Sequence, residues 1–192
     1  MSVRVGILAL QGAVEPHEKK LIDLGIEPVQ VRRGSDLAGL SGIILPGGES
    51  STMIHLLHLN ELWEPLGRFV KTMPTWGVCA GSILLAKHVT SPVQASFEAI
   101  DIEIQRNAYG RQIQSFISDL DCTAEWTASG RVEGVFIRAP RIVAIGTSVK
   151  VLFKWNQEPV MVEEGKCLAS TFHPELTDSR QIHEYFLKKC CA

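Results

Sequence analysis

Cys79 stands two residues from a glycine on either side, in Gly77-Val78-Cys79-Ala80-Gly81. An apolar run leads in and a helix-like run, "SILLAKHV" (82–89), leads out. This is the pattern of a G-x-S-x-G nucleophile turn with sulfur in place of oxygen. At such a turn the nucleophile sits at the apex in a strained conformation, and the glycines let neighbouring segments pass close by. The turn would lift the thiol to the carboxyl ends of the strands and set it beside a helix N-terminus, which favours thiolate. It would also aim the Ala80 N–H at an oxyanion. The chemistry served would be acyl transfer through a thioester. A buried cysteine packed beside small residues is the competing reading of so short a pattern.

A thiol nucleophile works with a histidine that a carboxylate or amide orients. The histidines are His17, His55, His58, His88, His173 and His183, and only His173 stands in an evident loop at a strand end, "ASTFHPELTD". Pro174 pushes His173 toward extended backbone, where residues two apart point the same way. Glu175 would then hold the ring and stabilise imidazolium. An ordinary polar turn before a helix is the alternative, but cysteine and histidine each supply what the other lacks.

Other polar residues carry weaker signals. His55, His58 and Glu61 recur at a spacing of three and would line one helix face. With no fourth ligand signalled, a solvated face fits better than a metal site. His88 is expected at the end of a helix, where a cation suits the dipole. "LPGGESS" (45–51) follows a strand and opens a helix. Its N–H groups would bind an anion or an oxyanion, with Ser50 or Ser51 as N-cap, and it lacks the G-K-[ST] of a Walker loop. Arg106 and Arg138 each close a strand-like run, where a guanidinium would hold a carboxylate. By composition alone each is a surface arginine.

The elements that must position these residues alternate. Strands are expected over 3–10, 27–33, 41–48 and 74–79, with helices over 16–25, 50–72 (a second starting near Pro65) and 82–89. Strand–helix alternation at this spacing means parallel strands joined by crossovers, and strands this apolar belong to an open α/β sheet covered on both faces. After residue 90 short strands follow with tight connections, which predicts antiparallel additions to the sheet. An amphipathic helix over 178–190 closes the chain. No repeat, low-complexity segment or linker interrupts it, so 1–192 reads as one domain.

Composition narrows the class. A formal charge of -2 gives no polyanion-binding surface, so nucleic acid is a poor partner. The N-terminal stretch does not read as a signal peptide and no apolar run approaches a membrane span, so the cytoplasm is the expected compartment. Five cysteines, Cys79, Cys122, Cys167, Cys190 and Cys191, include no C-x-x-C and read as free thiols. The adjacent pair at the end reads as a surface pair.

Together these residues resemble the class I (triad) glutamine amidotransferases, and more closely the glutaminase subunits of pyridoxal 5′-phosphate synthase, the PdxT type. The resemblance runs along nearly the whole chain: "LQGAV" (10–14), "LPGGES" (45–50), "CAG" (79–81), "RNAYGRQ" (106–112), "GVFIRAP" (134–140) and "FHPELT" (172–177). "CAG" or "LPGG" alone would indicate only the superfamily. The resemblance implies a flavodoxin-like three-layer α/β/α fold with a mixed, mostly parallel sheet. It implies hydrolysis of L-glutamine to glutamate and ammonia, with Cys79 as nucleophile, His173 as base and Glu175 as its orienting partner. Gly48, Glu49, Ser50, Arg106, Ile137 and Arg138 map to glutamine contacts. No metal or organic cofactor is implied. A synthase subunit is the implied partner, in an assembly of twelve copies of each, with "LQGAV" in the contact region. An oxyanion hole at the Gly47-Gly48 peptide is expected to form only on docking. Val78 departs from the Thr of many relatives, and "CCA" matches no family feature. Two alternatives stay open: the glutaminase of another amidotransferase, such as imidazole glycerol phosphate synthase, or a catalytically silent docking subunit.

Overall fold

The computed structural model describes residues 3–106, 115–123, 125–126 and 132–191. In chain order the elements are β1 (Arg4–Leu8), α1 (Val14–Asp23), β2 (Glu27–Val31), β3 (Gly42–Leu45), α2 (Ser50–Leu59), α3 (Trp63–Thr72), β4 (Thr75–Val78), α4 (Ala80–Leu85), β5 (Ala86–Thr90) and β6 (Ile100–Gln105). There follow β7 (Ser115–Cys122), β8 (Val132–Ile137), β9 (Arg141–Ile145), β10 (Lys150–Trp155), β11 (Glu158–Glu164), β12 (Cys167–Ser170) and α5 (Gln181–Cys190). Short 3-10 turns span Gly34–Leu37 and Pro174–Leu176.

The main sheet runs β2-β1-β3-β4-β12-β11-β10-β7-β8. Its first five strands pair in parallel and the remaining pairs are antiparallel. With β12 in fifth place, the parallel half has the 2-1-3-4-5 order of flavodoxin-like sheets. Its inner strands β1, β3, β4 and β12 are buried almost end to end because both faces are covered, whereas the edge strand β2 keeps Glu27 and Gln30 exposed. Along β3, Ile43 and Leu45 enter one core, with Met53 and Leu57 of α2 and Leu66 and Val70 of α3. Ile44, between them, enters the other, with Leu21 of α1 and Ile182 and Phe186 of α5. The pleat thus sends alternate residues to opposite layers, and three layers result.

Two expectations for the chain from residue 82 onward need correcting. The helix expected over 82–89 ends at Leu85, and 86–90 is strand β5, so His88 is an exposed strand residue in register with Glu103 of β6. The later strands do not all extend the main sheet either. β5, β6 and β9 form a separate three-stranded sheet, in which β5 and β6 run parallel. Among the described residues no helix is long and apolar enough to cross a membrane.

Candidate active site

Cys79 follows β4 and caps α4 with φ 49 and ψ -103, a backbone conformation that side chains rarely adopt. Its N–H donates to Ser170 O at 2.8 Å, and the Ser82 hydroxyl donates to its carbonyl at 2.6 Å. These bonds hold the strained turn from both sides. The flanking glycines are required by contact. A Cβ on Gly77 would lie 2.4 Å from Gly81 O, and one on Gly81 would lie 2.0 Å from Leu45 O. Strand β3, strand β4 and helix α4 therefore touch backbone to backbone at the apex.

His173 leaves β12 beside that apex, its N–H anchored on Val135 O of β8 at 2.8 Å. Gly47 is bare because a Cβ there would meet the His173 ring at 2.4 Å. The ring Nδ1 lies 2.7 Å from Glu175 Oε1. The pairing expected of an extended segment is present, but a 3-10 turn over Pro174–Leu176 makes it. All three side chains are buried. Burial alone would push the His173 pKa down. Hydrogen bonds with Cys79 and Glu175, and attraction to both, override it and raise the ring to about 10. Glu175 is held below its ordinary value: burial opposes the charge, but the His173 bond and the neighbouring imidazoles outweigh it. With Nδ1–H directed at the carboxylate, Nε2 is the nitrogen left for the thiol.

The apex opens into a cavity of about 470 Å³ at the carboxyl ends of β1, β3 and β4. Gly48, Glu49, Ser50, Arg106, Ile137 and Arg138 all line it, with Cys79 and His173. Glu175 lies behind the His173 ring. This is the switch point between β1 and β3, where open α/β sheets bind ligands. Two of the wall residues already hold each other: Arg106 Nη2 donates to Glu49 Oε1 at 3.1 Å. The α2 cap is Glu49, and neither expected serine. Its carboxylate accepts from Ser51 N at 3.3 Å and Thr52 N at 2.6 Å. Burial opposes its charge, but those bonds prevail and hold it at about 2.

Sequence reasoning missed three contributors. The Gln11 side chain lies against Gly48 and clamps Glu49, donating to its carbonyl at 3.1 Å and accepting from its N–H at 3.4 Å. His17 of α1 is fully buried next to Glu175, and His183 of α5 is fully buried behind His17. Their signal was a histidine on the apolar face of an amphipathic helix, which periodicity alone does not separate from core. No group of potential metal ligands occurs among the described residues. Glu61 lies beyond the end of α2, and His58 stacks on Trp63 at 5.0 Å.

A cysteine at a strained turn, a histidine held by a carboxylate and an adjoining polar cavity are the parts of an acyl-transfer site. The family model of the SNO glutamine amidotransferases matches residues 7–192. The chain belongs to that family. Among curated relatives of this amidotransferase, the pyridoxal 5′-phosphate synthase subunit PdxT of Solibacter usitatus (strain Ellin6076) is 46% identical over 189 residues, covering 97% of this chain and 98% of its own. The PdxT subunit of Koribacter versatilis (strain Ellin345) is 47% identical over 186 residues, covering 97% and 95%. A crystal structure of a glutamine amidotransferase matches with a TM-score of 0.90 at 40% identity, over 98% of this chain and 99% of that one. A putative GMP synthase subunit from Thermoplasma acidophilum, at 15% identity and a TM-score of 0.73, shares the fold.

Proposed function

We propose that this amidotransferase hydrolyses L-glutamine to glutamate and ammonia and delivers the ammonia to the synthase subunit that makes pyridoxal 5′-phosphate. The observation that carries the reading is the joint placement of Cys79 and His173 on one cavity whose wall carries Arg106, Arg138 and Glu49. The names of the relatives point to the acceptor.

The cycle is acyl transfer with general acid–base catalysis. With the proton of the pair held on His173 Nε2, the Cys79 sulfur attacks the side-chain amide carbon of glutamine. The Ala80 N–H and the Gly47-Gly48 peptide stabilise the oxyanion. As the tetrahedral intermediate collapses, the C–N bond breaks and His173 protonates the departing ammonia. Water, deprotonated by the same ring, then cleaves the γ-glutamyl thioester, which frees the sulfur beside a ring that is protonated again. Glu175 keeps Nδ1–H in place throughout. Arg106, Arg138 and Glu49 would hold the charged α-amino acid end, with Gly48, Ser50 and Ile137 shaping the wall. The chemistry is complete with these side chains and calls for no metal or organic cofactor.

In this reading the oxyanion peptide reorients when the synthase docks. Its present orientation is held at the cavity wall: Gly47 O accepts from the N–H of Ala13, a residue of the expected contact segment "LQGAV", at 3.0 Å. The single domain 1–192 would assemble with the synthase as twelve copies of each, in the cytoplasm. The test is ammonia release from glutamine with the purified synthase subunit present, for wild type and Cys79→Ala. Loss of release in the variant supports the reading. Equal release refutes it, and activity only with an imidazole glycerol phosphate synthase partner reassigns the acceptor.

A further inference from the structure

The Glu175 carboxylate has two oxygens, and His173 uses only one of them. Oε2 is buried without a hydrogen-bond partner, as is Nε2 of His17, and the two face each other at 3.7 Å. On the other side of its ring His17 Nδ1 lies 3.0 Å from His183 Nε2. Trp76 of β4 stands edge-on to both imidazoles. Four side chains from three separate parts of the sequence thus form a file: His173, Glu175, His17, His183.

We propose that His17, with His183 behind it, is a positioning residue of the triad: its Nε2–H holds Glu175 Oε2 so that Oε1 stays on His173 Nδ1. The inference rests on the glutaminase reading above. Proton counting fixes the direction of the file. Burial drives the His17 pKa down to about 4 and His183 well below its ordinary value, so both rings are neutral at working pH and carry one N–H each. One of these protons must lie between the rings. If His17 Nδ1 held it, the bare Nε2 lone pair would confront the carboxylate, and the His183 Nδ1–H would be buried with no acceptor. If His183 Nε2 holds it, His17 becomes the Nε2–H tautomer and points a donor at Oε2. The only leftover is a bare His183 nitrogen, which costs less than a buried unmet donor.

The 3.7 Å separation exceeds a normal hydrogen bond by roughly 0.7 Å, and catalytic contacts of this kind tighten in the substrate complex. Two imidazoles buried in an apolar layer also need a reason, since phenylalanine or leucine would fill the space without desolvation cost. The charged and titratable groups that bear on the file are Glu175 and His173 from the 3-10 turn and the residue before it, His183 from α5 and Lys20 from α1.

The experiment uses the full chain with its synthase partner. His17→Phe is expected to lower kcat roughly tenfold with KM unchanged, because Glu175 loses a donor and general acid–base catalysis is weakened but not abolished. The acid limb of the pH–rate profile should move upward, because the carboxylate protonates more easily without that donor. His17→Gln, whose amide N–H reaches the same oxygen, should recover most of kcat and return the limb. Wild-type kcat and pH profile in His17→Phe, or equal losses in Phe and Gln, would overturn the proposal. A second measurement needs no variant. Nitrogen-15 imidazole shifts of the unsubstituted protein should report His17 protonated at Nε2 and His183 bare at Nδ1, and the opposite tautomers would refute it. Failure of the glutaminase reading itself would show separately, as ammonia release that does not depend on Cys79.

Discussion

Gly81→Ala tests why glycines flank Cys79. The added Cβ would lie 2.0 Å from Leu45 O, where ordinary contact begins at 3.4 Å, so the backbones must separate by about 1.4 Å. Neither side yields cheaply. Leu45 is the last residue of β3, fully buried, and its carbonyl leads directly into Pro46-Gly47-Gly48. Gly81 lies in the first turn of α4, tied to Cys79 by the bonds from Ser82. Overpacking of this kind costs roughly 2–4 kcal/mol, and a domain of this size loses about 2–4 °C of Tm per kcal/mol. Whichever backbone moves, the thiol and the Pro46-Gly47-Gly48 turn part by more than an ångström, and a misplacement of that size is expected to cost on the order of 100-fold in rate. The assay is ammonia release with the synthase subunit present, beside a thermal melt. Gly165→Ala is the control: its φ is +55, but nothing stands within 4 Å of the added Cβ. Only conformational strain of about 1–2 kcal/mol should appear there, with activity intact. A Gly81→Ala protein with wild-type Tm and rate, or one no worse than the control, would refute the contact argument.

Glu49→Gln should cost about 1 kcal/mol at pH 7 in urea denaturation, because the charged α2 cap is lost. Glu49 has a lowered pKa, so that difference is fully present above about pH 4.5 and should vanish as the pH falls through about 2. For His173 the sign is opposite. Its folded value is raised to about 10, so the imidazolium stabilises the fold fully below pH 6.5 and ceases to as pH climbs through 10. The Tm gap between wild type and His173→Gln should therefore shrink across that alkaline window, and a gap that widens there would contradict the site electrostatics. Burial pushes the Cys167 thiol up to about 11 and Cys190 to about 12. Mass spectrometry after brief iodoacetamide treatment of the folded protein at pH 8 should find both unmodified.

The first half of the fold was legible because local pattern and tertiary environment agree there. Apolar runs with β-branched residues became β1 and β3, and Pro65 marked the start of α3 as expected. The run 82–89 misled because no glycine or proline divides it. Leu85 ends the helix and Ala86 begins a strand only because β6, more than ten residues onward, supplies the ladder. Such pairing outweighs local propensity. In the site, the association of Cys79 with His173 was readable from residue type and flanking turn residues. The cap on α2 was misread because Ser50 and Ser51 are the commoner capping residues, whereas Glu49 reaches forward over both. The His17–His183 contact spans 166 positions, and nothing local in either helix announces it.

Helix α1 joins two parts of the site that would otherwise be independent. At its N-cap Ala13 grips the Gly47 carbonyl, four residues on His17 faces Glu175, and one turn later Lys20 donates to the carbonyls of Thr177 and Ser179. A rise of about 1.5 Å per residue spaces these contacts along roughly 10 Å of a stiff rod. A push on that rod cannot tilt the peptide beside the thiol and leave the carboxylate behind the imidazole where it was. Whatever leans on the helix therefore adjusts both ends of the site in a single stroke.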